Sequence, residues 1–401
     1  VFPGRQGSYG MNTPSIVSTI VCPDYEKCGG PIRRALELAG LIEDLRGKRV
    51  LLKPNMMKGT PPGTPEATHP AFVGALTAIL VENGCSVTVG DSSGILGFTK
   101  EIFEASGMAR AVEEAGGKMI NFDAGPFTMI DLGGRFAGTV VPVARALLDA
   151  DAVLDVPKMK THTFLGLTLS VKNFMGAFPG AVKPHLHTIA PDRTRFAELV
   201  AGIPDALTSA GVNIAGSIVD GVLALGGRGG SVEPAPVWMG CVVAGRDIFH
   251  VDRVCARLAG FDPATVPLCN AEQILPSRAG VTSTIEVVGD IIRPFPLVRP
   301  GNDLVESTPA LTLAYYLARK NLVRPVHDPS RCADCNKCVE VCPVGCIIVK
   351  APRRRLIGAT CNGCLACRES CPEGAMTLHA NPMLKPFLKK RARGLDMGRI
   401  R

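Results

Sequence analysis

The stretch VPKMKTHTFLGLTLSVKNFMGAFPG, residues 156–180, places charged side chains within sequence whose apolar residues are otherwise typical of a protein interior. Charged groups are rarely fully buried unless an opposite charge or a ligand pairs with them. The residues that interrupt the apolar pattern are Lys158, Lys160, His162, Lys172 and Asn173. The fold must supply partners for these side chains, and the rest of the sequence indicates where such partners come from.

Apolar runs on both sides of this stretch alternate with segments of helical periodicity. The predicted strands are KRVLLKPN (48–55), CSVTVGDSSG (85–94), DAVLDVPKMKTH (151–162), NIAGSIVDG (213–221) and MGCVVAGRD (239–247). The clearest predicted helices are HPAFVGALTAILVENG (69–84) and TKEIFEASGMARAVEEAGG (99–117). Continuous Val, Leu and Ile runs separated by helices are typical of parallel strands covered on both sides. We therefore expect residues 11–325 to form an α/β domain, with a mostly parallel sheet and helices on both faces.

Each predicted strand ends in polar residues, and in open α/β sheets ligands bind beyond the carboxyl ends of the strands. These strand ends carry Lys53 and Asn55; Asp91, Ser92 and Ser93; Lys158, Lys160 and His162; Asp220; and Arg246 with Asp247. We expect all five ends to meet at one rim of the sheet. The cations would pair there with an anionic ligand or with Asp91 and Asp220 from neighbouring strands. Ordinary solvated loop residues are a third interpretation.

A small anionic substrate bound at this rim would be held by lysines and amides. The predicted substrate-binding residues are Lys53, Asn55, Asp91, Lys158, Lys160, Lys172, Asn173 and Asp220. The segment KPHLHT adds Lys183, His185 and His187. Histidine titrates near neutral pH, so His162 or His187 is the predicted catalytic proton donor.

Two further features have open interpretations. His69 precedes a predicted helix, where it is either a helix cap or a ligand or proton donor. The glycine-rich segment LALGGRGG (223–230) follows the strand predicted to end at Asp220. It matches no nucleotide-binding fingerprint, and we interpret it as a flexible turn.

Nine of the fifteen cysteines lie between residues 332 and 371, and eight of them form two runs with the spacing Cys-x2-Cys-x2-Cys-x3-Cys-Pro. In the bacterial ferredoxin pattern the fourth cysteine of each run ligates the other cluster. The rule predicts two [4Fe–4S] clusters, one held by Cys332, Cys335, Cys338 and Cys371 and the other by Cys361, Cys364, Cys367 and Cys342. Zinc is the alternative, because Cys-x2-Cys pairs also suit tetrahedral zinc. Cys346 lies outside the pattern and is expected to pack beside a cluster.

The two cysteine runs belong to an internal repeat, since CVEVCPVGCIIV (338–349) is matched by CRESCPEGAMTL (367–378). Each half supplies a ligand run and then a short strand, so neither half completes its cluster alone. Residues 326–380 resemble the bacterial-type two-cluster ferredoxin domain, a small C-terminal α+β fold. That resemblance implies one-electron transfer at low potential, and a low-potential electron donor or acceptor protein as partner.

The larger domain also carries a resemblance. The segments LLKPN, THP, VTVGDSSG, the quoted stretch, LHT, IVDGVLALGG and VAGRDIFHVDRVCARLAGFDP are similar to those of the domain of unknown function 362 family, over about residues 15–275. The family is often joined to a two-cluster ferredoxin domain and implies no particular reaction. GGRGG departs from the Gly-Pro expected in that loop.

The formal net charge of +8 is concentrated in a basic tail, residues 381–401, which carries seven Lys or Arg against one Asp. A basic excess confined to a short tail argues against nucleic-acid binding. We expect no membrane span, because no apolar run is long enough. Residues 1–10 lack the pattern of a signal peptide and are expected to be a disordered leader. Cysteines arranged as ligands rather than disulfides predict a cytoplasmic protein.

Two classes of function follow from these features. The first is an iron–sulfur oxidoreductase that passes electrons through two clusters to or from a small anionic substrate in the crevice. The second is a non-catalytic electron-transfer or assembly protein whose α/β domain docks a partner protein. A two-cluster module joined to a cation-lined crevice favours the first.

Overall fold

The computed structural model describes residues 14–57, 64–93, 99–162, 164–180, 182–227, 234–278, 284–299, 323–361 and 364–380. The predicted leader (1–10), the basic tail (381–401) and residues 228–230 of the glycine-rich segment lie outside the described residues. The strands are β1 (Ser15–Val21), β2 (Arg49–Pro54), β3 (Ser86–Asp91), β4 (Lys118–Asn121), β5 (Phe127–Asp131), β6 (Val140–Ala144), β7 (Ala152–Val156), β8 (Lys158–His162), β9 (Gly166–Thr168), β10 (Ile214–Gly227), β11 (Pro234–Gly245), β12 (Ile285–Gly289), β13 (Val323–His327), β14 (Ile347–Ala351), β15 (Arg354–Ile357) and β16 (Met376–Ala380). The α-helices are α1 (Gly29–Leu38), α2 (Leu41–Leu45), α3 (Pro70–Glu82), α4 (Thr99–Ala105), α5 (Met108–Glu114), α6 (Ala146–Asp149), α7 (Ser170–Asn173), α8 (Val182–Ile189), α9 (Arg193–Ser209), α10 (Ile248–Leu258), α11 (Ala271–Ile274), α12 (Lys337–Glu340) and α13 (Ala366–Glu369).

The larger domain is built on a ten-stranded sheet with the order β12-β1-β11-β10-β7-β2-β3-β4, to which β8 and β9 are attached beside β10. The run from β10 through β7, β2 and β3 to β4 is parallel throughout. β11 is antiparallel to both of its neighbours, β10 and β1. The prediction of a mostly parallel α/β sheet is therefore confirmed.

Helices cover both faces of this sheet, because successive residues of a strand point to opposite sides. Val50 and Leu52 of β2 share a core with Leu36 of α1 and Leu76 of α3. Leu51, between them, belongs to a second core that includes α7 and α9. Burial on both faces is the physical reason that β2 is an unbroken apolar run rather than an alternating one.

Two predicted elements are each divided in the structure. The strand expected over 151–162 is interrupted by Pro157, which lacks a backbone N–H, and becomes β7 and β8. β7 pairs with β2 and β10, whereas β8 pairs with β10 and β9. The helix expected over 99–117 is α4 followed by α5, with Gly107 in the left-handed conformation between them (φ 73°).

The prediction that a strand ends at Asp220 and a turn follows is wrong. β10 continues to Gly227, and residues 223–227 pair with 234–238 of β11 after an irregularity between Gly221 and Leu223. Pairing with a distant strand outweighs the local preference of glycine for turns. The backbone groups of residues 223–227 that face β11 are therefore already used in strand pairing.

Residues 323–380 form a small α+β module with two antiparallel strand pairs, β13–β16 and β14–β15. The internal repeat is visible in its backbone. Asn336 and Leu365, which follow the second cysteine of each run, have φ values of 59° and 64°. This conformation is costly for residues other than glycine and persists where the surrounding structure requires it. Here it starts the short helix that carries the third cysteine of each run.

Candidate functional site

Two buried ion pairs lie where the strand ends meet. Lys53 pairs with Asp91 (Nζ–Oδ1 2.8 Å), and Lys158 pairs with Asp220 (Nζ–Oδ2 2.8 Å). All four side chains are at most 2% exposed. For Lys53 and Lys158 the partners are thus carboxylates from neighbouring strands, which is one of the interpretations left open by the sequence.

The two asparagines connect these pairs to Lys160. Asn173 Nδ2 donates to the Lys53 carbonyl (3.0 Å) and to Asp155 Oδ1 (2.8 Å), while its Oδ1 accepts from Asn55 (2.9 Å). Lys160 Nζ donates to Asn55 Oδ1 (2.5 Å) and to the Glu66 carbonyl (2.7 Å). Both acceptors are neutral, and burial together with the charge of Lys172 lowers the pKa of Lys160 well below its usual value.

Lys172 differs from the other lysines at this rim. Its side chain is partly buried, and the described part of the chain offers its ammonium no hydrogen bond or ion pair. Desolvation, followed by repulsion from Lys183 and Lys53, lowers the pKa of Lys172 to about 8. The group is protonated at neutral pH, and an anion would remove the cost of leaving a partly desolvated cation without a counter-charge.

The two predicted catalytic histidines lie beside Lys172, whose charge lowers the pKa of both after the larger effect of burial. The pKa of His187 falls to about 4, and that of His162 well below its usual value. His162 Nδ1 accepts from the amides of Phe164 (3.2 Å) and Leu165 (3.1 Å), which places the proton of the neutral ring on Nε2. Both rings are therefore neutral at pH 7.

A second polar cluster lies next to the Lys53–Asp91 pair. Lys183 Nζ donates to the carbonyls of Ser92 (2.6 Å) and Ser93 (2.8 Å). Asp123 accepts from Ser92 Oγ (2.5 Å) and from Thr99 Oγ1 (2.6 Å). The sequence analysis missed Asp123, which follows the short strand β4. The strand-end rule would have found it had that strand been recognised.

Two glycines of the quoted stretch allow close approaches that a side chain would prevent. A Cβ atom at Gly176 would collide with the Asp91 carboxylate and the Lys53 ammonium. A Cβ atom at Gly180 would collide with the backbone carbonyl of Cys364, and the Gly180 amide donates to Asp123 (2.9 Å). One short stretch therefore packs against both the buried ion pair and the cysteine-rich module.

Two cavities in the module are each lined by four of the predicted ligand cysteines. One contains Cys332, Cys335, Cys338 and Cys371, and the other contains Cys342, Cys361, Cys364 and Cys367. Each cavity thus takes three cysteines from one run and the fourth from the other. The fifteen cysteines all lie in described residues, and none of them forms a disulfide. Cys346 also borders the second cavity, and its amide donates to Cys342 Sγ (3.3 Å).

The chemistry of these thiols suits a metal centre. The amides of Asp334 and Ala375 donate to the sulfurs of Cys332 (3.4 Å) and Cys371 (3.2 Å), a type of contact that tunes iron–sulfur clusters. Burial raises the pKa of Cys364 to about 12, so a thiolate there requires an adjacent metal cation. The four cysteines of each cavity therefore fit the cluster that the spacing predicts.

Arg246 and Asp247 do not reach the rim, contrary to the prediction for five strand ends. β11 is antiparallel to β10, so its carboxyl end lies at the opposite edge of the sheet. Arg246 pairs there with Asp44 (2.6 Å), and Asp247 caps α10. Polar residues that follow an antiparallel strand lie at the opposite edge of the sheet from those that follow its parallel neighbours. The prediction failed because the sequence pattern does not reveal the direction of a strand.

His69 is a helix cap, because its Nδ1 accepts from the Ala71 amide at the start of α3 (3.2 Å). Its ring stacks on Tyr25 with 3.7 Å between centroids. The Tyr25 hydroxyl accepts from Lys158 Nζ (2.7 Å) and donates to Asp220 (2.9 Å). Tyr25 was missed because it lies in an irregular segment after β1, where the sequence carries no motif.

Both parts of the chain match the model of a known protein family. Residues 50–257 match the family model described as domain of unknown function (DUF362), and residues 325–348 match a 4Fe-4S binding domain. The thylakoid-associated protein sll1697 of Synechocystis sp. (strain ATCC 27184 / PCC 6803 / Kazusa) is 31% identical over 268 residues, which is 65% of this chain and 75% of that protein.

A search of solved structures found the lactate racemase apoprotein of Thermoanaerobacterium thermosaccharolyticum, with a TM-score of 0.38 and 14% identity. That match covers 62% of this chain and 58%, less than two thirds, of the racemase chain. Within the described residues no helix is long and apolar enough to cross a membrane. Because the DUF362 match covers 208 of the 401 residues, the chain belongs to the DUF362 family, and it carries a 4Fe-4S binding domain.

Proposed function

We propose that this protein is an iron–sulfur oxidoreductase in which two [4Fe–4S] clusters pass electrons to or from a small anion held at Lys172. The observation that carries the proposal is the position of this lysine. Its ammonium lacks a partner among the described residues, and it lies in the stretch that packs on Cys364 through Gly180. The anion-binding cation therefore lies in the same short segment as a glycine that contacts the backbone of a cluster ligand.

Two clusters rather than two zinc ions are favoured by the crossed arrangement of ligands. In each cavity the fourth cysteine comes from the other run, as in two-cluster ferredoxins. A zinc site has no need of this exchange, because one run already offers four thiols. When bound, the clusters supply one-electron transfer at low potential.

The anion is bound by Lys172, with further positive potential from Lys183. In a partly dehydrated site each charged contact is stronger than at the protein surface. The neutral ring of His162 orients the anion through its Nε2–H. Lys172 is better suited than His162 or His187 to donate a proton near neutral pH, because its pKa is about 8 while burial lowers the pKa of both rings.

The cluster that exchanges electrons directly with the anion would be the one in the cavity of Cys342, Cys361, Cys364 and Cys367. The Cys364 carbonyl contacts Gly180, whose amide bonds to Asp123. Asp123 is joined through Ser92 to Lys183. These contacts give a continuous packed route between the module and the rim where Lys172 lies.

Retention of small anions tests the proposal. Wild type, Lys172→Met and the control Lys118→Met, which alters an exposed lysine of β4, are purified without oxygen and their bound anions identified by mass spectrometry. We expect Lys172→Met to bind the retained anion about five- to 150-fold more weakly than the wild type, which is equivalent to about 1–3 kcal/mol of binding free energy. The iron content should be unchanged. Equal retention by all three proteins, or retention by none, would overturn the proposal.

A non-catalytic electron-transfer or assembly protein is the second candidate. The observation that favours it is that Lys53 and Lys158 are already neutralised by Asp91 and Asp220 and are not available to a ligand. We further propose a cytoplasmic location, where thiols stay reduced. The name of the thylakoid-associated relative makes contact with a membrane surface the alternative. Cell fractionation separates the two locations.

A further inference from the structure

The two cysteine-lined cavities differ in how they are covered. In the cavity next to the α/β domain, Cys364 and Cys367 are buried, and Leu365 between them belongs to the core of that domain. Each cavity also has two partly exposed cysteines, but only the other cavity has a fully exposed one, Cys335. Electron transfer with an external protein is favoured where the least protein separates a cluster from the surface. That place is the edge of the cavity at Cys335.

A basic hairpin is fastened to this edge. Strands β14 and β15 form the hairpin, and its turn lies over the ligand loop that begins at Cys332. Arg353 Nε donates to the Cys332 carbonyl (2.6 Å), and its amide donates to Asp334 Oδ1 (3.1 Å). The buried Arg355 bonds to Asp334 and to Asn336 Oδ1 (2.6 Å). The hairpin therefore has a fixed position relative to Cys335.

Several cations of this surface are left without a counter-charge. Arg331, Lys337, Lys350 and Arg354 are exposed, and none of them forms an ion pair within the described residues. Asp334, which accepts from the Arg353 amide in the hairpin turn, is already paired with Arg355. These four cations outnumber Glu340 and Glu373, the other exposed acids of the same part of the module, so the side chains around Cys335 carry an excess of positive charge that would attract a negatively charged partner and orient it during encounter.

We propose that the surface formed by Arg331, Lys337, Lys350 and Arg354 around Cys335 docks an acidic one-electron carrier protein. The inference rests on the proposed function, because it needs a cluster in the cavity of Cys332, Cys335, Cys338 and Cys371. In each encounter the reduced carrier loses one electron and the cluster gains it, with no bond made or broken. Electrons then enter at the exposed cavity and leave through the cavity beside Gly180.

The test uses the full chain with its iron–sulfur content intact and a plant-type [2Fe–2S] ferredoxin as the acidic carrier. The variant Lys350→Glu/Arg354→Glu reverses two charges that make no contact with the ligand loop. The matched control, Lys27→Glu/Lys118→Glu, reverses two exposed charges on the α/β domain. The measurements are the dissociation constant, the second-order rate of reduction by the ferredoxin, and the dependence of both on ionic strength.

We expect the hairpin variant to bind the ferredoxin at least tenfold more weakly at low salt, and to lose most of the salt dependence seen in wild type. The control should stay within about twofold of wild type, since a reversal far from the docking surface alters only the overall charge. Iron content should be the same in all three proteins, and the midpoint potentials are measured so that a shift caused by the reversed charges is separated from an effect on docking. Equal affinity and equal salt dependence for the hairpin variant and the control would overturn the docking proposal.

Failure of the proposed function gives a different result. The anion retained by wild type is measured on the same preparations, and the hairpin variant should keep it. If no anion is retained but docking depends on the hairpin, the protein is a carrier and the docking surface stands. If the anion is retained but the affinity for the ferredoxin does not depend on the hairpin charges, only the docking surface is refuted.

Discussion

Replacing Lys172 by methionine is expected to stabilise the protein at neutral pH. Its pKa is lowered from 10.5 to about 8, and each unit of pKa corresponds to about 1.4 kcal/mol between the charged and neutral forms. Keeping this cation in the folded protein therefore costs about 3 kcal/mol. Methionine retains an unbranched side chain that adapts to irregular space, and it removes the charge.

The stabilisation should depend on pH in a defined direction. Below pH 8 Lys172 is protonated in both the folded and the unfolded chain, so the cost is fully present. Between pH 8 and 10.5 the unfolded chain binds more protons than the folded one, so the unfolding free energy of the wild type rises with pH. The advantage of Lys172→Met should therefore be greatest below pH 8 and shrink as the pH approaches 10.5.

Urea denaturation of protein freed of retained anions, followed by circular dichroism without oxygen, measures this difference at neutral pH and near the usual pKa of lysine. The exposed control Lys118→Met should change the unfolding free energy by less than about 0.5 kcal/mol at either pH. If Lys172→Met destabilises the protein at neutral pH, or if its effect is the same at both pH values, then Lys172 has a partner in the folded protein. The basis for an anion site would then be gone.

Four further predictions concern the clusters, the segment that joins them to the rim, and the anion. Anaerobically purified protein should contain about eight irons and eight acid-labile sulfides per chain, and zinc without labile sulfide would refute the presence of clusters. Cys342→Ala should damage the cluster of Cys364 rather than that of Cys332. Loss of the Cys332 cluster instead would refute the assignment of ligands. Gly180→Ala should cost about 1–3 kcal/mol and perturb the electron paramagnetic resonance signal of the neighbouring cluster, because its Cβ meets the Cys364 carbonyl. Gly134→Ala, also at positive φ but in open space, is the control, and an equal effect there would assign the change to backbone strain. Anion affinity should fall as the pH rises through about 8, where Lys172 loses its proton, and a flat profile would exclude this lysine.

The sequence predicted most of the central sheet because those strands are buried on both faces and their apolar runs are unbroken. It did not predict the break at Pro157, the extension of β10 or the direction of β11, because these depend on which strand lies beside which. Because β11 is antiparallel to its neighbours, Arg246 and Asp247 lie at the other edge of the sheet. Hydrophobic pattern identifies strands, and pairing decides where their ends point.

At the site, the sequence identified the polar residues but not their pairing. That Lys53 and Lys158 find carboxylates while Lys172 does not is decided by contacts between residues far apart in the chain. The importance of Gly176 and Gly180 was hidden for the same reason, since each faces a group from another element. The cysteine sets were the easiest to predict, because ligand spacing is a local property of the chain.

Reoxidation of the reduced clusters by the retained anion tests the central claim most directly. The clusters are reduced without oxygen and mixed with the anion identified from the wild type, and their reoxidation is followed in wild type, Lys172→Met and Lys118→Met. The account predicts that the wild type and Lys118→Met release about two electrons per chain, one from each cluster, and that Lys172→Met does so at least tenfold more slowly at the same anion concentration. Reoxidation at the same rate in all three proteins would contradict the claim that the clusters exchange electrons with an anion at Lys172, and so would a wild type whose clusters are neither reoxidised nor reduced by the anion.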